Sequence, residues 1–163
     1  MNILYGLPSA IEVDGISYEI LTSYRAVLEW FLINDDERLT ESERAQATVH
    51  LFCMETPSNW QEAYRQIASF LCLGEEHSEE LGEKVTDFRQ DFKYIWSGFR
   101  RVYGIDLLKE DVHWWEFKLL LDELPDDCRY KQVVAIRSKP VGFENERAAF
   151  ALMELKEKYA LKG

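Results

Sequence analysis

Residues Asp87–Leu107 read D-F-R-Q-D-F-K-Y-I-W-S-G-F-R-R-V-Y-G-I-D-L. H-W-W-E-F follows at His113–Phe117, L-L-L-D-E-L-P at Leu119–Pro125 and V-V-A-I-R at Val133–Arg137. Phe88, Phe92, Ile95, Phe99 and Val102 recur at intervals of three and four, the spacing of one helix face. This predicts a long helix over 86–103 with Gly104 as its stop. Arg100 and Arg101 fall in the last turn, where the helix dipole favours cations. Gly98 lies inside the helix, where it costs up to about 1 kcal/mol relative to Ala, and an interior glycine allows another helix to approach closely. Asp111 can cap a following helix on which Trp114, Phe117, Leu121 and Leu124 share a face before Pro125 ends it. A short helix over 128–137 should bury Val133, Val134 and Ile136. A loop with Pro140 and Gly142 then leads to a last helix over 144–161 that aligns Ala148, Leu152, Leu155 and Tyr159.

Toward the N-terminus the period changes. Asp14-Gly15 separates Ile11/Val13 from Ile16/Tyr18/Ile20, and this dipeptide between alternating segments signals a two-residue hairpin because the turn needs positive φ. Pro8 restricts the segment before it to an edge or a loop. Helical spacing takes over at Tyr24, Val27, Leu28, Phe31 and Leu32, capped by Thr22 or Ser23 and ended by Asn34–Asp36. Thr40 and Glu43 have capping-box spacing ahead of a helix with Ala45, Val49, Phe52 and Cys53 inward. After Pro57, Ser58 and Gln61 repeat that spacing ahead of an inner face of Trp60, Tyr64, Ile67 and Leu71, with Gly74 as a stop. The expected architecture is mainly α: a multi-helix globular bundle of about six or seven helices with a small N-terminal β-hairpin, its stability drawn from tertiary packing. The chain reads as a single helical domain over 1–163. It contains candidate sub-units 1–74 and 84–163, joined by the acidic segment 75–83, which reads as a solvated loop or a weak helical turn.

Composition sets further bounds. Apolar residues at 47% and aromatics at 13% support a packed core rather than disorder. With 30 acidic against 19 basic residues the net charge is −11, a field that repels phosphate backbones and disfavours nucleic acid while suiting a basic protein partner. Cys53, Cys72 and Cys128 form no C-x-x-C and read as thiols in a reducing compartment. No basic segment followed by an apolar run marks a secretory signal. No stretch reaches the roughly 18 apolar residues of a membrane span.

Catalytic chemistry finds no motif. His113 lies three residues before Glu116, but a metal site needs at least three converging ligands. Neither His50 nor His77 sits at ligand spacing to it, so His113 reads as a helix-start or packing residue. Asp122, Glu123, Asp126 and Asp127 bracket Pro125 without calcium-loop spacing and read as a solvated helix end. No serine lies in G-x-S-x-G, and the eight glycines form no phosphate-binding loop. No metal or cofactor is expected. Trp114 and Trp115 project about 100° apart on a helix. Either the helix is covered on two sides or one ring is exposed, with Trp114 in the core and Trp115 at a partner surface. Arg100, Arg101 and Arg137 either pair internally with Asp106 or Glu116, or mark the docking spot of an acidic partner.

The same residues carry a resemblance. Tyr94, Phe99, Tyr103, Gly104, Ile105, Asp106 and Leu107, then His113, Trp114, Trp115 and Phe117, then Ile136 and Arg137, are similar to the gene-fifteen product family of tailed phages of Gram-positive bacteria. The resemblance implies a non-enzymatic tail-assembly protein in the cytoplasm of the bacterial host. It implies a chaperone of the tape-measure or tail-tube protein, with a structural component retained in the phage tail as the alternative; apart from the resemblance, His113 and the nearby carboxylates leave a small metal-binding or enzymatic helical protein as a further one. Arg100, Arg101, Tyr103, Asp106, His113 and Trp115 are the candidate partner-binding residues, and a homo-oligomer is left open.

Overall fold

Asp14 and Gly15 adopt φ of 51° and 77°, two successive positive values that define the type I′ turn expected of Asp-Gly. They join β1 (Ala10–Val13) to β2 (Ile16–Glu19) in an antiparallel pair, with Val13 opposite Ile16 and Ile11 opposite Tyr18. The computed structural model of the protein describes residues 6–75, 85–142 and 145–162. Among these residues seven helices follow the hairpin, so the fold is mainly α, as the periodicity predicts. Of the acidic segment 75–83, only Glu75 lies within the described residues. The chain forms two compact units, Met1–Glu80 with Asp111–Leu119, and Leu81–Glu110 with Leu120–Gly163.

The first unit holds the hairpin, α1 (Tyr24–Asn34), α2 (Glu41–Phe52), α3 (Trp60–Leu71) and the start of α5 (Trp114–Asp122). Ser23 caps α1 by accepting from the Arg25 N–H. The Thr40–Glu43 capping box on α2 has both arms in place. The second predicted box is not formed. Asn59 caps α3 instead, accepting from the Glu62 N–H at 3.3 Å. The buried face of α3 is accordingly Ala63, Ile67, Phe70 and Leu71, with Trp60 half-buried and Tyr64 exposed. On α1, Tyr24, Ala26 and Val27 are buried while Leu32 is 50% exposed. Gln66 of α3 closes the outer edge of β1. Its carboxamide accepts from the Glu12 N–H and donates to the Glu12 C=O, standing in for a further strand where an unpaired edge would otherwise remain.

Residues 112–114 run antiparallel to residues 22–24. The Tyr24 N–H donates to Val112 C=O at 2.9 Å and the Trp114 N–H to Thr22 C=O at 2.6 Å. This brings the head of α5 into the core, where Phe117 stacks on Tyr24 at 4.9 Å and on Trp114 at 5.8 Å.

The second unit contains α4 (Phe88–Val102), α6 (Arg129–Ser138), α7 (Glu146–Tyr159) and the last residues of α5. Asp87 caps α4 through the N–H groups of Arg89 and Gln90, and Gly104 ends it at φ 74°. Gly98 does permit a close approach, since a methyl group there would meet Leu124 Cδ1 at 3.1 Å. The core consists of Ile95, Phe99, Leu107, Leu121, Leu124, Cys128, Tyr130 and Val133. Of the residues expected to be buried on α6, Val133 is, whereas Val134 and Ile136 are half-buried. Val102 is 38% exposed rather than part of the inner stripe of α4. No residue of α7 is fully buried, and its inward stripe is Ala149, Leu152, Lys156 and Tyr159. Ala148 and Leu155, which the sequence places inward, are exposed.

Candidate functional site

The six candidate partner-binding residues separate into two groups. Arg100, Arg101, Tyr103 and Asp106 lie together at the end of α4, within the second unit, and His113 and Trp115 lie at the head of α5, within the first.

At the end of α4 the left-handed Gly104 reverses the chain, so that Asp106 returns beside the helix that precedes it. Its Oδ1 accepts from the Trp96 indole N–H at 2.9 Å and from the Leu108 N–H at 3.2 Å. Its carbonyl accepts from the N–H groups of Lys109 and Glu110, both at 2.8 Å. Arg100 and Lys109 each approach Oδ2 to 3.7 Å, and the Arg100 guanidinium lies 5.7 Å from the Trp96 ring centre. The Trp96 hydrogen bond, then the Leu108 N–H and the two cations, hold the Asp106 carboxyl below its ordinary range against the opposing effect of desolvation. Leu107 is fully buried next to it. Tyr-Gly-Ile-Asp-Leu is therefore a turn with its own chemistry: a glycine for positive φ, a carboxylate to tie the turn and a leucine to anchor it.

Arg101 forms a two-point pair with Asp127, at 2.7 and 3.2 Å, and donates to Cys128 Sγ at 3.0 Å. The half-buried Tyr103 donates its hydroxyl to Leu120 C=O at 2.8 Å and packs edge-on against Phe99. Both Arg100 and Arg101 remain more than half exposed. Arg100 thus takes the expected partner Asp106, while Arg101 pairs with Asp127 and Arg137 with Asp91 rather than with Asp106 or Glu116.

The Asp106 interactions give a pH-dependent prediction. A carboxyl whose folded-state pKa is depressed adds stability that is fully present above the ordinary value of 3.8. That stability is lost as pH falls through the lower folded value. Asp106→Asn should therefore flatten the acid limb of the stability curve below that value, measured by denaturant unfolding across pH, and should leave Trp96 with a weaker acceptor. An unchanged acid limb would overturn this assignment.

In the first unit, His113 begins α5. Its Nδ1 accepts from the Trp115 N–H at 3.1 Å, which leaves the proton on Nε2, the atom 2.9 Å from Pro8 C=O. Both ring nitrogens are thus engaged by the backbone, which suits the expected role at the helix start. Asp111, the cap suggested by the sequence, instead accepts from the Ser23 hydroxyl. Trp114 and Trp115 are both buried, at 3% and 1% exposure. Their indole N–H groups donate to Leu71 and Phe70 carbonyls, at 2.9 and 2.8 Å, at the C-terminal end of α3, where the Phe70 carbonyl also accepts from the Leu73 N–H at 3.1 Å. The helix is covered on two sides, so Trp115 is an interior residue and not an exposed anchor.

One charged residue in the second unit is buried without a motif to mark it. Asp91 is 1% exposed and forms a two-point pair with Arg137, Nη1–Oδ2 2.7 Å and Nη2–Oδ1 2.8 Å. Arg137 also donates to Val85 C=O at 3.0 Å and to Tyr159 C=O at 2.6 Å, and its own carbonyl accepts from Lys156. Nearby Tyr130 is pushed up to about 12, mainly by burial, with the negative charges of Asp91 and Asp122 adding to it. The available signal was an acid set among Phe88, Phe92 and Ile95 on an apolar stripe, where a carboxylate requires a partner.

A recess of about 370 Å³ in the first unit is lined in part by Trp30, Tyr64, Leu71, Cys72 and Glu75. Burial, and then the charge of Glu75, push the Cys72 thiol up, which disfavours the thiolate a nucleophile requires. Burial acts the same way on Cys53. Among the described residues no group of three or more His, Cys, Asp or Glu side chains could hold a metal ion. No helix among them is long and apolar enough to cross a membrane.

Residues 4–161 match the family described as bacteriophage Gp15 protein. The chain belongs to that family. It is a phage protein family and not a known enzyme family. No curated protein and no solved structure matches the chain. Within this Gp15 protein the residues that carried the resemblance, the Tyr-Gly-Ile-Asp-Leu turn, the His-Trp-Trp helix start and Arg137, are architectural: each closes a turn, starts a helix or satisfies buried groups.

Proposed function

We propose that this Gp15 protein is a non-enzymatic tail-assembly factor of phages of Gram-positive bacteria. In this reading it binds the tape-measure or tail-tube protein in the host cytoplasm while the tail is built. The observation that carries the reading is the family match across residues 4–161, and the net charge of −11 is consistent with it. A long helical client exposes apolar surface that aggregates before assembly, and an acidic protein that covers part of that surface keeps the complex in solution. With Trp115 and His113 engaged inside the first unit, the exposed members of the candidate set available for contact are Arg100 and Arg101.

Co-expression with the tape-measure protein of the same phage, followed by size-exclusion chromatography with light scattering, tests the proposal. A soluble complex of defined mass is the expected result. A client that aggregates as it does alone overturns it. Recovery of the protein from purified virions at a fixed copy number would make it a structural tail component instead.

A further inference from the structure

In the second unit, α7 leaves large apolar side chains uncovered. Ala148–Met153 is a run of six apolar residues, yet no residue of the helix is buried. Phe150 is 64% exposed and Met153 49%. A run of this kind on a solvent-facing helix is rare in a folded protein unless something packs on it. The exposed stripe is defined by spacing. Glu146, Phe150, Met153, Glu154 and Glu157 fall within about 100° of one another on a 3.6-residue helix, beside the inward stripe of Ala149, Leu152, Lys156 and Tyr159, while Leu155, 40% exposed, projects to the other side. Two large apolar side chains are thus framed by three carboxylates, with Arg147 and Lys158 at one margin.

We infer that this face of α7 docks an amphipathic helix with apolar side chains at i, i+3, i+4 and i+7 and flanking lysines or arginines. The shape of the face calls for a helix. Its own backbone is engaged in helical hydrogen bonds, so it offers no edge to an extended strand, whereas side-chain ridges of a second helix fit its grooves. Charge favours a basic partner, since Glu146, Glu154 and Glu157 project beside the apolar pair while Arg147 and Lys158 lie at the margin of the face and Lys156 on the inward stripe, on a chain of net charge −11. The same charges disfavour a second copy of this chain. Antiparallel self-pairing with Phe150 opposite Met153 sets Glu146 against Glu157, and parallel pairing sets each glutamate against itself. The inference rests on the chemistry of α7 alone and does not depend on the tail-assembly reading.

The test uses the full-length protein and a fluorescent Leu/Lys peptide of helical spacing, read by anisotropy. A control peptide of identical composition alternates Leu and Lys. Saturable one-to-one binding of the first peptide and not the second is expected. The variant Phe150→Ser/Met153→Ser, which alters only exposed side chains and leaves the charge unchanged, should bind the first peptide about tenfold or more weakly. Circular dichroism checks that it folds. Equal binding of both peptides, or unchanged binding by the variant, would mean attraction by net charge alone and overturns the inference. A wild-type dimer that the same substitutions dissociate overturns it in favour of a second copy. Because no phage protein is present, failure here is distinct from failure of the co-expression experiment.

Discussion

Asp91→Ala should destabilise the second unit by about 3–5 kcal/mol, the range for removing one partner of a buried ion pair. Asp91 is 1% exposed and the Arg137 side chain 10%, so the remaining guanidinium has little water to turn to. It would keep its bonds to the carbonyls of Val85 and Tyr159 and lose its counter-charge. Asp91 also accepts from the Asp87 N–H at 3.0 Å, so the first turn of α4 should loosen as well. The double replacement Asp91→Leu/Arg137→Met separates the two effects. It removes both charges, and should recover most of the loss, because a buried pair exchanged for apolar side chains is often near neutral. Urea unfolding of the three proteins, followed by circular dichroism, checks this. A single variant as stable as the wild type would show that the pair contributes nothing.

Trp115→Ala should be comparably damaging, at about 3–5 kcal/mol, because it opens a cavity where a fully buried indole stood. In a protein of this size that corresponds to a fall of roughly 10 °C in melting temperature. The ring stacks on Phe70 at 6.3 Å, and its N–H serves the Phe70 carbonyl. Trp115→Phe retains most of the packing and drops the hydrogen bond, so its cost should be smaller, about 1–3 kcal/mol. The contrast with a partner-surface role is sharp, since an exposed anchor could be truncated with little loss of stability. A Trp115→Ala protein that melts like the wild type would return Trp115 to the surface.

The legible parts of the fold share a physical basis. The Asp14-Gly15 turn, the Thr40–Glu43 box, the Gly104 stop and the close approach at Gly98 all follow from backbone and side-chain chemistry within a few residues, or from the absence of a Cβ. Where that chemistry offers two equivalent solutions, the local sequence does not decide between them. Ser58 and Asn59 can both cap, and the cap one residue later accompanies a buried face centred on Ala63, Ile67 and Phe70 instead of Trp60 and Tyr64. The candidate site was legible to a lesser degree. Its motif residues were identified, but four of them gather in one unit and two in the other, and most serve the fold itself.

By itself, the sequence determined the helical class, the hairpin, the ends of most helices and the likeness to a phage family. Each of these depends on periodicity, on local capping or on a signature of adjacent residues. The tertiary structure decided which faces are covered. Asp111–Leu119 returns to pair with residues 22–24, and this buries both tryptophans against the end of α3. Asp91 finds Arg137, 46 residues away. A helical stripe states that something must cover it but not what, because the covering residues are set by contacts between segments far apart in the chain. The same reasoning leaves Phe150 and Met153 exposed on α7, an apolar stripe in search of a cover that the described residues of this chain do not supply.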